Sequence, residues 1–405
     1  MTLPGLAAAM LLVAAVPPTA AALYLGVLAL LARRAAPADA TGRGPATRFD
    51  VIVPAHDEES GIAATIASLR ALDYPSERYR VVVVADNCTD ATAECARAAG
   101  ALVWERNDAE RRGKGYALAH GFAASVEEGF AEAVVVVDAD TTVSPNLLRE
   151  LDAALARGAD ALQASYGIRN PDASWRTRLL TLGFTLFHDI RSLARERLRL
   201  SSGLRGNGMC FHADLLRRVP HRAFSIVEDL EYGLQLGLAG VRVAYVGAAH
   251  VYGDMPSSTD ASRSQRARWE RGRRAVGREY AGRLLREAVR RRDVVLLDLL
   301  LDVVVPPLSR LVAALVVGWT VAVAAAALGA PAASAVAVWT VGALAIVVYL
   351  ARGCALTGNG LRAAADLVYA PVYMLWKLTV AAGRATRNDE WVRTSRAVSA
   401  NRGGA

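Results

Sequence analysis

The sequence predicts an α/β domain built on a parallel sheet, set between an N-terminal membrane anchor and a C-terminal membrane region. Three observations predict it. Short Val-rich runs alternate with helical patterns from Phe49 to Asp140. An uncharged run covers residues 3–32 and is closed by Arg33 and Arg34. Apolar character returns after residue 293. The composition agrees: 53% of the 405 residues are hydrophobic, with a mean hydropathy of +0.24 and 21% charged. That is too apolar for an ordinary soluble enzyme and too charged for membrane spans alone. It also excludes wholesale disorder, which requires low hydrophobicity.

The elements follow in chain order. The uncharged run at 3–32 exceeds the roughly 20 residues needed to cross a bilayer. It lacks the basic residues that precede the apolar stretch of a cleaved signal peptide. Residues 1–34 therefore read as an uncleaved anchor, with its basic end in the cytoplasm. Residues 35–47 (AAPADATGRGPAT) read as a linker. From residue 48, FDVIVPAH, YRVVVVAD, ALVWER and AEAVVVVDAD read as strands. GIAATIASLRAL, TDATAECARAAG and KGYALAHGFAASV read as the helices between them. This alternation means βαβ units and a parallel sheet, whose ligands bind beyond the carboxyl ends of the strands. Acids stand at three such ends: Asp57 with Glu58, Asp86, and Asp138 with Asp140.

The domain extends to about residue 293, and 294–384 reads as the C-terminal membrane region. Leu311–Leu328 and Ala332–Leu350 are each about long enough to span. Residues 361–382 are interrupted by Asp366, Pro371 and Lys377, and they read as an in-plane segment or a third span. The arginine-rich stretch at 266–292, together with Arg352 and Arg362, puts both flanks of the two spans in the cytoplasm. The stretch 294–305, with Asp298 and Asp302 at helical spacing, reads as interfacial, its acids exposed. Residues 385–405 form a basic tail.

The net charge of +8 is carried almost wholly by arginine; the lysines are Lys114 and Lys377. A lysine kept in such a chain points to work that a compact, flexible charge does better than a guanidinium. Nucleic-acid binding is not expected. Its modules are missing, and the basic runs flank apolar spans, where membrane topology explains them. The four cysteines form no CxxC pair and no disulfide framework, and they read as small buried residues in a reducing compartment.

Several residues carry candidate chemistry. Asp138-Ala139-Asp140 closes a buried strand, which suits Mg²⁺ or Mn²⁺ shared with a diphosphate. Read alone, such a triplet is a solvated loop. Asp86 could accept bonds from a nucleoside, or it could cap the next helix, where Asp90 is an equally good candidate. Lys114 lies between glycines in RRGKGYAL, which is not a Walker spacing; it reads as a phosphate or base contact, or as a plain turn. Glu228-Asp229 opens a helix, as a general base or as acids at a helix N-terminus. Gln265-Arg266-Ala267-Arg268-Trp269 sits in an arginine-rich helix. It offers a cation for a leaving diphosphate and a ring for a sugar, or it rests on anionic lipid.

Asp86, Asp138-Ala139-Asp140, Glu228-Asp229 and Gln265–Trp269, in this order behind a membrane anchor, resemble a known set. It is the D, DxD, (T)ED and Q(Q/R)xRW set of membrane-integrated family-2 glycosyltransferases. Cellulose, chitin and hyaluronan synthases and ceramide glucosyltransferase-like enzymes belong there. The resemblance covers roughly residues 48–280. PAHDEES at 54–60 and RGNGMCF at 205–211 are similar to further family segments, and WVRTSR at 391–396 is similar to the ending of bacterial exopolysaccharide-type members.

The resemblance implies a Rossmann-like GT-A fold and an inverting, metal-dependent transfer from a UDP-sugar. Glu58, Asp86, Lys114 and Asp138 would bind the donor, and Asp140 would ligate Mg²⁺ or Mn²⁺. Asp229 would be the base. Gln265 and Arg268 would act on the diphosphate, and Trp269 would line the acceptor site. Two departures stand out: Asp57 replaces a usual Asn, and Val227 replaces a Thr frequent in processive members. The implied acceptor is a lipid-linked or growing glycan at the cytoplasmic face of the plasma membrane. The implied partners are membrane lipids, a second copy or a polysaccharide-assembly partner. Two alternatives stay open: a processive synthase that exports its polymer, and a non-catalytic sugar-nucleotide-binding scaffold.

Overall fold

The computed structural model describes residues 3–34, 44–253, 259–358 and 360–371, with the backbone alone given for 259–267. The expected linker and basic tail therefore lie largely or wholly outside the described residues. Strand β1 (Phe49–Ala55) is buried along its whole length, as a β-branched run between two layers of helices should be. It pairs in parallel with β2 (Tyr79–Asp86) on one side and β4 (Ala133–Val136) on the other. Strand β3 (Leu102–Arg106) adds in parallel beyond β2. Alternate residues of β1 face opposite layers. Val51 and Val53 pack with α2 (Ile62–Arg70) and α5 (Leu147–Ala156), whose Ile62, Ile66, Leu69 and Leu151 are fully buried. Ile52 packs on the other face with Leu118 and Phe122 of α4 (Lys114–Glu128).

The second half departs from the expected all-parallel sheet. The eight strands run in the order β3-β2-β1-β4-β7-β6-β8-β5, with β5 at Thr141–Val143, β6 at Ala161–Ile168, β7 at Met209–His212 and β8 at Val243–Gly253. Strand β7 lies antiparallel to both β4 and β6, so the sheet is mixed. The reversal has a geometric consequence. Pairing Val136 with Met209 sets the residues before β7 beside the residues after β4. The turn at 205–208 therefore meets Asp138 at one rim of the sheet. Helices α3 (Thr92–Ala98), α6 (Trp175–Phe184), α7 (Arg191–Arg197), α8 (Ala213–Arg218) and α9 (Glu228–Leu238) complete this part.

Among the described residues, three helices are long and apolar enough to cross a membrane: α1 (Leu3–Leu31), α12 (Leu308–Ala327) and α13 (Ala333–Leu356). At 1.5 Å per residue, the 29 residues of α1 reach about 44 Å. Small residues let the helices approach: a Cβ on Gly26 would lie 3.3 Å from the Ala345 Cβ. Large apolar side chains such as Met10, Val13, Val317 and Val347 remain exposed on the outside of this bundle.

The long basic helix α10 (Thr259–Arg291) leads into α11 (Val294–Val304), whose first turn is capped by Asp293 accepting from Val295 and Leu296 N–H. Helix α11 exposes Val294, Leu297 and Val304 but buries Asp298 and Asp302. This overturns the expectation of exposed acids; both are buried because Arg191 and Arg195 of α7 meet them. Of the expected third segment, Gly360–Asp366 forms a short helix, α14, held where Arg178 forks onto Asp366 at 2.7 and 3.0 Å. Residues 372–382 lie outside the described residues.

Candidate active site

The strand ends β1, β2 and β4 and the N-termini of α4 and α9 open on one rim. At the end of β2, Asp86 is fully buried (0% exposed). Arg106, at the end of neighbouring β3, holds its Oδ1 at 2.6 Å, while its buried Oδ2 has no hydrogen-bond partner among the described residues. A half-satisfied buried carboxylate is costly and signals a missing donor group. Neither aspartate takes the cap position of α3, which is Ala91; Asp90, one residue earlier, accepts the Thr92 N–H on its Oδ1 at 2.9 Å.

Asp57 adopts a left-handed backbone (φ 54°) and accepts the Thr89 N–H at 2.6 Å and hydroxyl at 3.1 Å, so the departure from Asn serves the loop. Glu58, next to it, is partly buried and donates its N–H to Thr92 Oγ1 at 2.7 Å.

Lys114 begins α4 and is the hinge of the rim. Its Nζ donates to Asp138 Oδ1 at 2.5 Å and to the Gly206 carbonyl at 2.6 Å, and it stands 3.7 Å from Glu228 Oε1. Burial works against its charge, but Asp138, Glu228 and Asp229 outweigh that and raise its pKa, so it is firmly an ammonium. Gly206 has φ +77°, and a Cβ there would lie 3.3 Å from Asp229 Oδ2 and 3.6 Å from Lys114 Nζ. The turn thus brings backbone against both side chains, which a larger residue would prevent. Asn207 fixes it, accepting the Asp138 N–H at 3.2 Å and donating to Thr141 Oγ1 at 2.7 Å.

Burial pushes the Glu228 and Asp229 carboxyls above the usual carboxylate range, with Lys114 pulling both back. Two acids of one helix N-terminus beside one lysine are poised for proton exchange. The bare helix-terminus reading does not explain why Lys114 and Gly206 converge on them.

Asp140 follows β4 and is partly buried at the rim, with the Thr141 hydroxyl 3.4 Å from its Oδ1. Its companion Asp138 is already engaged by Lys114. Among the described residues, one trio of metal-capable groups lies within 4.8 Å of one another: Asp57, Cys88 and Asp90. Its carboxylates hold the 89–92 backbone, which accounts for their proximity. His250 stacks on Tyr252 with ring centroids 5.8 Å apart.

Helix α10 passes beside the start of α9. A Cβ on Gly272 would lie 3.1 Å from Val227, and Arg268 and Trp269 lie one turn earlier. Arg268 is partly buried, its Nε has no hydrogen-bond partner among the described residues, and burial lowers its pKa. Trp269 is 42% exposed. Gln265 lies on this helix, and its side chain falls outside the described residues.

A family model described as "Glycosyltransferase like family 2" matches residues 45–272. The chain belongs to this family. The glycosyltransferase is 24% identical over 238 residues to the probable glycosyltransferase YdaM of Bacillus subtilis, covering 56% of each chain. It is 25% identical to glucomannan 4-beta-mannosyltransferase 1 of Oryza sativa, covering 60% of this chain and 48% of the relative. The match thus spans about half the length of these curated relatives. The solved mannosyltransferase of Pyrobaculum calidifontis, in complex with GDP-Man and Mn²⁺, covers 84% of this chain and is itself 99% covered, with a TM-score of 0.52 and 20% identity. At that identity the likeness is one of fold, and it agrees with the GT-A architecture.

Sequence reasoning missed Arg106 as the partner of Asp86 and Asn207 as the clamp on the 205–208 turn. The signal for Asn207 was in RGNG, where two glycines bracket an amide. Arg106 carried no local signal; it reaches Asp86 because β3 pairs with β2, a contact across 20 residues.

Proposed function

We propose that this glycosyltransferase moves a sugar, with inversion, from a UDP-sugar to a lipid-linked or growing glycan acceptor at the cytoplasmic face of the membrane. The observation that supports it most is the convergence of Lys114, Asp138, the Gly206 carbonyl and Asp229 at one rim. Cation, donor-side acid and buried base stand within a few contacts of one another, which is what a single displacement requires.

In this reading Asp86 Oδ2 and Glu58 take the nucleoside, because an unpartnered buried acceptor is ready for a base or ribose donor. Lys114 and Asp138 orient the diphosphate side. Asp140 is suited to a hard divalent ion, Mg²⁺ or Mn²⁺, because such ions keep few protein ligands and take the rest from phosphate and water. Such an ion would add charge neutralisation on the diphosphate. Asp229 takes the proton of the acceptor hydroxyl as its oxygen bonds the anomeric carbon. The bond from that carbon to the diphosphate oxygen breaks, and the electron pair leaves with the nucleotide. Lys114 and Arg268 offset the charge that develops there, with Gln265 beside them on the same helix. Trp269 offers an exposed ring to the acceptor sugar. One displacement inverts the centre without a second carboxylate nucleophile.

The three apolar helices and the exposed apolar face of α11 support attachment to lipid. Among the described residues three such helices accompany the domain, which favours a lipid-linked acceptor or an oligomeric synthase over polymer export by a single copy. The test is release of nucleoside diphosphate by purified protein in nanodiscs, across UDP- and GDP-sugars with lipid extract supplied. Turnover of a donor, lost in Asp229→Asn, supports the reading; binding of nucleotide without turnover favours a scaffold.

A further inference from the structure

Behind the Gly206 turn lies a buried charge cluster that the transfer itself does not use. Arg191 and Arg195 of α7, Arg205 of the turn and Arg273 of α10 converge on Asp302 of α11. Arg191 Nη1 is 3.1 Å from Asp302 Oδ1 and Arg195 Nη2 is 3.0 Å from it. Arg205 Nη1 and Arg273 Nη2 approach Oδ2 at 4.0 and 3.7 Å. Arg273 also donates to the Asp302 carbonyl. Asp298 takes Arg195 Nε at 2.8 Å. The guanidiniums of Arg191, Arg205 and Arg273 crowd the Phe187 ring at 4.8, 4.6 and 5.4 Å.

The membrane bundle enters the same cluster. Tyr24 of α1 donates to Asp298 Oδ1 at 2.7 Å and accepts from Arg195 Nη2 at 2.8 Å. Tyr349 of α13 accepts from Arg191 Nε at 3.4 Å and donates to the Leu186 carbonyl at 2.5 Å.

Stability alone is a poor reason for such an arrangement. Four guanidiniums against two carboxylates are expensive to bury, and apolar residues of the same volume would hold the elements together as well. What the cluster holds is the turn. Arg205 donates its N–H to Gln163 Oε1 at 2.8 Å and its Nη2 to the Ser202 carbonyl at 2.9 Å. The next residue supplies the carbonyl that grips Lys114 and the surface on which Asp229 rests. Gly203, Gly206 and Gly208 all have positive φ and bring no side chain, so the turn is held by what its other residues touch: Leu204 in the core, Asn207 on Asp138 and Thr141, and Arg205 at the charge cluster.

We infer that Asp302 is a positioning residue: through Arg205 it sets the Gly206 turn against Lys114 and Asp229, and through Arg195 and Tyr24 it ties that turn to the first membrane helix. The inference rests on the glycosyl-transfer reading above. Asp302 touches no reacting atom. Its effect reaches the base chiefly, because Lys114 keeps Asp138 and Glu228 as further partners while Asp229 meets the turn directly.

The experiment uses the full chain in nanodiscs, as wild type, Asp302→Asn, Asp302→Glu and Tyr24→Phe. Misplacing a reacting group by about 1 Å costs up to roughly a hundredfold in rate. In Asp302→Asn kcat is expected to fall roughly ten- to a hundredfold while donor KM and UDP affinity move by less than about threefold. Asp302→Glu restores most of kcat, and Tyr24→Phe shows a smaller loss of the same kind. Wild-type kcat in Asp302→Asn overturns the inference. So does a joint loss of kcat, UDP binding and thermal midpoint without rescue by Glu, which marks a structural role only. Amide exchange at 203–208, read on the same samples, needs no turnover. Faster exchange in Asn, restored in Glu, supports the joint; unchanged exchange overturns it. Faster exchange with an inert wild type supports the joint and counts against glycosyl transfer alone.

Discussion

Replacing Gly115 by Ala sets two known effects against each other. Gly115 is the second residue of α4, directly after Lys114. In an open helix Gly→Ala stabilises by about 0.5–1 kcal/mol, because glycine has more backbone freedom to lose. Here the added Cβ would stand 2.3 Å from the Ala223 carbonyl oxygen and 3.2 Å from the Phe224 Cα. Both are backbone atoms, so no side-chain rotation relieves the contact. Overpacking of this kind costs about 1–3 kcal/mol, and it outweighs the propensity gain. The expected result is a net loss of about 1–2 kcal/mol. The start of α4 is pushed from the segment leading to Glu228, so Lys114 is displaced from Asp138 and nucleotide affinity falls as well. The assay is thermal unfolding in detergent beside UDP-binding calorimetry. Gly183→Ala is the control: it lies in α6 with no atom within 4 Å of its added Cβ, and it should be neutral or slightly stabilising. A Gly115→Ala protein as stable as that control, with unchanged UDP affinity, would refute the reasoning.

Four other predictions concern the rim. Asp229→Asn should lower kcat by about 10²–10⁴-fold with donor binding retained, measured by nucleotide release and equilibrium binding. Because burial raises the Asp229 pKa, its basic form is lost at a higher pH than for an ordinary aspartate; the acid limb of kcat should therefore be shifted upward from the ordinary aspartate range, and should disappear in Asp229→Asn. Arg106→Met leaves the buried Asp86 carboxylate without its partner and should cost about 3 kcal/mol, while Asp86→Leu in the same background recovers stability but not nucleotide affinity, read by denaturation and calorimetry. EDTA should abolish turnover, and Asp140→Ala should raise the Mg²⁺ or Mn²⁺ concentration needed to restore it.

The strands β1, β2 and β4 were legible because buried parallel strands read as Val-rich runs, and their acids marked the rim; β3 was legible as a short strand although it is half-exposed. Strand β7 was not. MCFH is four residues long, and nothing local shows that it inserts in reverse between β4 and β6; that is decided by tertiary pairing. The pattern of α11 misled for a related reason. Asp298 and Asp302 at helical spacing in an apolar helix look like an exposed face. Their partners, Arg191, Arg195 and Tyr24, come from segments far away in sequence. Of the site, the acids and Lys114 were readable from position at strand and helix ends. The Gly206 carbonyl was not, because a backbone group carries no sequence signal beyond the glycines that free it.

The central claim is tested most directly by measuring nucleoside diphosphate release across a panel of UDP- and GDP-sugars, with lipid extract, for wild type and Asp229→Asn in nanodiscs. The account predicts cation-dependent turnover of a UDP-sugar, abolished in the variant although the donor still binds. Turnover that persists in Asp229→Asn at the wild-type rate would contradict it, as would tight nucleotide binding with no transfer from any donor.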